Sequence, residues 1–367
     1  MKRRYVNTTH GGNVFDAAAR LGISPDEILD FSANINPLGP PAAVLESLQR
    51  NASDTKYITR YPDIDSKDLR QVISKHLNID KNLVIIGNGA SALINTAVHA
   101  INPTRCLLPV PCFSEYTRAL STIDCEPLHF NLTSKAGFNI DIDRFKYSLH
   151  KHKPQFCIIS NPHNPSGALT QSAKIKSVIS EAEIIGTTIL LDEAFIDYVP
   201  EESLIERVTE YSNLIVLRSL TKFYAIPAMR VGYAVASNNL VALLQRQTVS
   251  WPVSTVASDA AIAALQDNQY AIRTIAGNKA EREWLAQELT QLGVKVFSSQ
   301  ANFILIQLPE DAPASPELKE NLLAQHHVLI RDCSTFTGLE NKRFIRVAVR
   351  SRRDNRILIR ALGDCLW

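Results

Sequence analysis

The sequence predicts an α/β protein: a mostly parallel sheet with helices on both faces, followed by a smaller α+β unit. Short apolar runs alternate with helix-length segments between Leu83 and Ser237. A polar motif follows almost every one of those runs. After about residue 255 the texture changes to longer helical stretches, then a second set of apolar runs.

The elements follow in order. LVIIGN (83–88) leads into a helix from near Ser91. RCLLPV (105–110) leads to PCFSEYTRAL and then to CEPLHF (125–130). QFCIIS (155–160) leads to NPHNPSG and a helix from about Gln171. TTILLDEAF (187–195), NLIVLRS (213–219) and RVGYAVAS (230–237) complete the sheet. Runs this apolar are strands covered on both faces. In such sheets ligands bind beyond the carboxyl ends of the strands. GNGAS, PCFSEY, NPHNPSG, DEAF and SLTK all fall there. SDAAIAAL and AEREWLAQELTQL precede VKVF, ANFILIQL, HHVLIR and RFIRVAVR, which read as a separate unit. The expected division is an N-terminal arm over 1–40 that contributes to the active site, a large domain over 41–255 and a small C-terminal domain over 256–367.

Composition narrows the function. Hydrophobic content of 45% and charged content of 21% suit a soluble globular chain of 367 residues. A net charge of +2 argues against bulk electrostatic binding of nucleic acid. Six cysteines form no CxxC pair and no Cys/His cluster of zinc spacing, so no metal is expected. They read as reduced, mostly buried thiols. MKRRYVNTTHGGN has no apolar core behind its basic residues, and no run is long enough to span a bilayer. A cytoplasmic protein without membrane partners is expected.

The chemistry gathers at SLTKFYAIPAMR, residues 219–230. Lys222 stands beside Ser219 and Thr221, with Arg230 eight residues on. Asp192 ends the run TTILLD, and Asn164 sits in NPHNPSG. Tyr116 in PCFSEY offers a ring. Gly89, Ala90 and Ser91 of GNGAS offer backbone amides and a hydroxyl for a phosphate. Each alone has a plain structural explanation: a solvated lysine, an ion pair, turn chemistry, core packing. Together they meet the needs of pyridoxal 5'-phosphate. It takes a lysine for its aldehyde, an acid for its ring nitrogen and a donor for its phenolic oxygen, with an aromatic lid and a phosphate cup.

NPHNPSG, DEAFIDY and SLTKFYAIPAMRVGY resemble the fold-type I pyridoxal-phosphate enzymes of the class I/II aminotransferase superfamily. Within it the chain resembles the histidinol-phosphate aminotransferases and, more closely through HGGNVFDAAARLGISPDEILDFSANINPLG, the L-threonine-O-3-phosphate decarboxylases of cobalamin biosynthesis. The resemblance implies a seven-stranded sheet, Lys222 as the cofactor lysine and Asp192 at the pyridine nitrogen. It implies Asn164 at the phenolic oxygen, Tyr116 stacked on the ring, and Ser91, Ser219, Thr221 and Arg230 at the phosphate. Tyr61 of RYPD would reach the neighbouring subunit's cofactor, in a homodimer with shared sites. His10, Gly11, Asn34, Asn164, Arg331 and Arg346 would bind the substrate, and either arginine suits either of its anions. The implied activity is decarboxylation of L-threonine O-3-phosphate to (R)-1-aminopropan-2-yl phosphate. The alternatives are histidinol-phosphate or other phosphoamino-acid transamination, L-serine O-phosphate decarboxylation, and a pyridoxal-phosphate-binding regulator without turnover. A nicotinamide site is disfavoured, because GNGAS does not complete GxGxxG. The chain departs from the pattern at Ala90, at His163 before the key Asn164, at Ala228, and at Phe195 where many aminotransferases have Tyr.

Overall fold

The computed structural model describes residues 11–367. Among these residues, thirteen strands and their helices make two sheets and a short two-stranded ribbon. In chain order the strands are β1 (Leu29–Asp30), β2 (Val84–Gly87), β3 (Arg105–Val110), β4 (Glu126–Asn131), β5 (Phe156–Ser160), β6 (Thr188–Asp192) and β7 (Leu214–Ser219). There follow β8 (Gly232–Ala236), β9 (Lys295–Val296), β10 (Phe303–Gln307), β11 (Val328–Leu329), β12 (Arg331–Asp332) and β13 (Phe344–Ala348).

The large sheet has seven strands in the order β2-β8-β7-β6-β5-β3-β4. Strands β3 to β7 run parallel, and β8 lies antiparallel to both neighbours. Its two faces fill two apolar clusters, one around Ile159, Leu191 and Val216 and one around Ile158, Leu190 and Leu217. Alternate residues of one strand thus feed opposite cores. Strands β5, β6 and β7 end side by side at Ser160, Asp192 and Ser219. That rim is where the polar motifs sit.

The second sheet is antiparallel, β12-β13-β10-β9, and the helices Ser315–His326 and Arg352–Leu366 share its apolar core. Two features depart from the expected division. The helix Thr255–Leu265 packs on the helices Ala42–Ala52 and Lys67–Leu77, with Ala257, Ala260, Ala261 and Ala264 in the same apolar cluster as Leu69, Ile73 and Val84. Large-domain packing therefore continues past 255, and the helix Asn268–Gln291 makes the crossing. The arm, in turn, joins the small domain. β1 pairs in parallel with β11, Phe31 is fully buried in the small-domain core, and Ala17 and Ala18 pack with Leu323 and Leu329.

Candidate active site

A cavity of about 860 Å³ opens between the two sheets, over the carboxyl ends of β5, β6 and β7. Segments far apart in the chain line it: Asn34 after β1, Lys222 after β7 and Arg346 on β13.

Lys222 follows β7 in a helix of only four residues, Leu220–Phe223. Its Nζ donates to Thr221 Oγ1 at 3.3 Å, and Thr221 Oγ1 lies 2.8 Å from Ser219 Oγ. Burial, with Arg230 and Arg346 pushing the same way, brings the lysine down from the usual 10.5 to about 8. A fair share of the amine is then neutral, and so nucleophilic, near neutral pH.

Asp192 is the last residue of β6 and is 4% exposed. Burial pushes its carboxyl up, against the Tyr116 hydroxyl, which donates to Oδ2 at 2.6 Å, and Ala194 N–H, which donates to Oδ1 at 2.9 Å. A buried acid held by two donors is poised to take a cationic partner.

Asn164 lies four residues past the end of β5. Its Oδ1 accepts from Arg346 Nη1 at 2.6 Å, which leaves its Nδ2 to donate into the cavity it lines. His163 has a structural role. Its Nε2 meets Pro111 O and its Nδ1 meets Ser166 Oγ, both at 2.7 Å. Burial lowers it to about 4, so the ring is neutral and ties the loop after β5 to the loop after β3.

Gly89, with φ of 73°, opens the helix Gly89–Ile101, and Ala90 and Ser91 line the cavity at its amino end. A Cβ on Gly89 would lie 2.7 Å from Arg230 Nη2, so the guanidinium rests against this turn. Arg230 is exposed, and its Nη1 donates to Pro227 O at 3.3 Å. The turn and the arginine together make an anion cup of backbone amides and a planar cation.

Arg331 and Arg346 face each other in register across β12 and β13. Directly opposed residues project to the same side of a sheet, so both guanidiniums reach the cavity. Arg346 lies over the Phe303 ring and Arg331 over the Phe336 ring, each at 5.0 Å. Burial lowers Arg346 to about 10, and Arg331 adds to the effect. Arg346 Nε and Asn34 Oδ1 are buried without a hydrogen-bond partner among the described residues. Gly11 passes so close to the backbone at Ser32 that a Cβ would lie 2.1 Å from Ser32 O. His10 lies outside the described residues.

One sequence expectation is corrected. Tyr116 does not line the cavity; it is 1% exposed and buried behind Asp192. The helix Ser114–Leu120 puts residues 116, 119 and 120 on its core face. Phe113, the residue before that helix, lines the cavity in its place. The helical period was the signal that would have separated the two rings. Sequence reasoning also passed over Glu115, Arg118 and Asp30. Glu115 and Arg118 form a charged pair on the wall, and Asp30 Oδ1 accepts from Ser32 Oγ at 2.6 Å. Tyr61 does not line its own chain's cavity; it is 81% exposed and stacks on Trp251 at 4.8 Å between ring centroids.

Residues 26–362 match the family Aminotransferase class I and II. The chain belongs to that family. It is 36% identical to threonine-phosphate decarboxylase of Salmonella typhimurium, over 98% of this chain and 97% of that one. It is 31% identical to the adenosylcobalamin biosynthesis bifunctional protein of Leptospira interrogans, over 98% of this chain and 41% of that protein. Among solved structures, histidinol-phosphate aminotransferase from Clostridium acetobutylicum superposes with a TM-score of 0.84 at 31% identity, covering 92% of this chain and 98% of that one.

Pyridoxal 5'-phosphate is the cofactor of this family, and the cavity fits it. The acid, the lysine and the anion cup lie on one rim, and the buried Asp192 carboxyl calls for a cation such as a protonated pyridine. Among the described residues no cluster could hold a metal ion, and no helix is long and apolar enough to cross a membrane. All six cysteines are free, and all but Cys125 are buried.

Proposed function

We propose that this chain decarboxylates L-threonine O-3-phosphate to (R)-1-aminopropan-2-yl phosphate, for the aminopropanol link of cobalamin. The observation that carries the reading is the opposed pair Arg331 and Arg346, facing the same cavity as Lys222. A substrate with both a carboxylate and a phosphate needs two planar cations at short separation. The similarity to the Salmonella decarboxylase along nearly the whole chain supports it, and the Leptospira protein supports the pathway.

Lys222 would hold the cofactor by its aldehyde carbon, Asp192 by the ring nitrogen and Asn164 by the phenolic oxygen. Phe113 would cover the ring. Ser219, Thr221, Ser91, Arg230 and the amides at Gly89, Ala90 and Ser91 would take the phosphate. When bound, pyridoxal 5'-phosphate supplies an electron sink for a bond breaking at the substrate Cα. Asp192, kept ionised by a cationic partner, sustains that sink. Arg331, Arg346, Gly11, Asn34 and His10 bind the substrate and select by orientation which Cα bond yields. Carbon dioxide leaves and Cα takes a proton in its place. The Lys222 amine, which lines the same cavity, would supply it.

The working unit in this reading is a homodimer. Tyr61 would serve the partner's cofactor phosphate, consistent with its exposure and with the nearby exposed Ile58 and Val249. A cytoplasmic location, which keeps six thiols reduced, goes with it. The second reading, histidinol-phosphate transamination, is favoured by the fold match to the Clostridium enzyme. One assay decides. Holoenzyme is incubated with L-threonine phosphate and no oxo acid, and carbon dioxide is followed. Release over many turnovers supports the decarboxylase, with serine phosphate compared next. No release, with one equivalent of cofactor converted to its amine form, sinks it in favour of a transaminase.

A further inference from the structure

The four-residue helix that carries Lys222 is too short to satisfy its own last carbonyls. The chain just beyond helps, with Ala225 N–H donating to Lys222 O at 3.3 Å, and Tyr270 Oη donates to Phe223 O at 3.2 Å, but one residue far away in sequence reaches both carbonyls. Asn36 N–H donates to Lys222 O at 3.1 Å, and Asn36 Nδ2 donates to Phe223 O at 2.8 Å. The same Nδ2 reaches Tyr270 Oη at 2.8 Å and Thr274 Oγ1 at 3.0 Å. Tyr270 and Thr274 are on the helix Asn268–Gln291, whose first turns pack in the large domain and whose Leu285 and Leu289 lie in the small-domain core.

Asn36 also ends a strap that crosses the substrate cavity. Phe31 anchors the strap in the small domain. Ser32 O accepts from Arg346 Nη2 at 3.3 Å, and Asn34 O accepts from Asn302 Nδ2 at 2.9 Å. Asn36 itself is 5% exposed and does not line the cavity, so it has no reach to substrate.

We propose that Asn36 is a positioning residue for the reaction: it caps the turn that carries Lys222 and ties the lysine's placement to the linking helix and to the strap on which Arg346 bears. The inference rests on Lys222 being the cofactor lysine, and not on which Cα bond breaks. Without the side-chain donor, the last turn loosens at Phe223 while the sheet beneath keeps its packing. A misplacement of about 1 Å at a reacting group costs on the order of 100-fold in rate.

The test uses holoenzyme carrying Asn36→Ala, with steady-state kinetics and hydrogen exchange read by mass spectrometry. The expected result is a kcat lowered about 10- to 100-fold with KM within about threefold. Exchange should quicken in peptides 219–226 and 268–275 and stay at the wild-type rate in 156–160. Tyr270→Phe, which removes one of the linking helix's contacts, should move both readouts the same way by less. Wild-type kcat in Asn36→Ala overturns the inference. So does exchange raised evenly across the sheet, or a rate loss without the local change. If Asn36→Ala does not fold, Asn36→Leu, close in size and without a donor, takes its place under the same outcomes. Cofactor that is still fixed covalently to the protein by borohydride reduction in Lys222→Ala would instead sink the assignment of Lys222, a separate and distinguishable failure.

Discussion

Gly89→Ala tests the anion cup. At φ of 73° an alanine pays roughly 1–2 kcal/mol of left-handed backbone strain. Its Cβ would also lie 2.7 Å from Arg230 Nη2 and 3.3 Å from Cζ. The colliding group is the far end of a long, exposed side chain, so Arg230 gives way and the turn stays. An arginine moved off the cup forfeits a hydrogen bond between charged groups, about 1.5–3 kcal/mol. That is roughly 10- to 150-fold in cofactor affinity. The assay is titration of apoprotein with pyridoxal 5'-phosphate, following the visible band, beside a thermal melt of the apoprotein. The dissociation constant should rise by that factor, while the melting midpoint falls by no more than about 4 °C. Arg230→Gln should weaken binding to a similar degree, and the double variant should add little, because both changes remove one interaction. Unchanged affinity in Gly89→Ala, or fully additive losses, would refute the cup as drawn.

Three further outcomes are expected. Tyr116→Phe removes the 2.6 Å hydrogen bond to Asp192, and should lower kcat about 10-fold with KM little changed in steady-state assays; wild-type turnover would show that Tyr116 is core packing alone. Arg346→Lys keeps the charge but loses the planar fork that reaches Asn164 Oδ1 and Ser32 O, so kcat/KM for the phosphoamino acid should fall about 100-fold while cofactor still binds. The third concerns pH. Lys222 titrates near 8 in the folded apoprotein and near 10.5 unfolded, so between those values the unfolded chain holds a proton the folded chain has lost. Its destabilising effect is full below about 8 and fades as pH rises to about 10.5. Denaturant midpoints of wild type and Lys222→Met apoproteins should therefore converge over that interval; a constant gap would contradict the depressed lysine.

The large sheet was legible because strands buried on both faces leave uninterrupted apolar runs, such as CIIS and ILLD, that stop at polar motifs. The place of Asp192, Asn164 and Lys222 on the sheet rim was legible for the same reason: each lies at or just beyond the end of such a run. The arm's allegiance was not. β1 is two residues long and pairs with β11 across most of the chain, and no local pattern records a partner so distant. The helix Thr255–Leu265 misled because alanines on several faces give no sign of which core they enter. Tyr116 misled because the motif was read as a string; wound as a helix, it sends that ring into the core and leaves Phe113 on the wall. Asn36 left no trace at all, since its partners are two backbone carbonyls and two side chains on a helix more than 200 positions later in sequence.

Decarboxylation and transamination ask the same of Lys222 and Asp192 and differ in how the substrate is held. The groups proposed to hold it here are not independent. Arg346 is fixed by Asn164 of the large domain on one side and by Ser32 O of the arm on the other. Arg331 is fixed to Arg346 by the register of β12 on β13 and braced by Thr335, whose Oγ1 accepts from Nη2 at 2.9 Å. An anion pair gripped by two arginines in fixed register can rotate about Cα only if the small sheet moves as a whole. The choice of bond is then a property of where that sheet rests, and the strap from Phe31 to Asn36 links its position to Lys222. Loosening the strap should therefore change the ratio of carbon dioxide released to cofactor converted to its amine form, even where the arginines themselves are intact. A ratio that stays constant across strap variants would place the choice within the arginines alone.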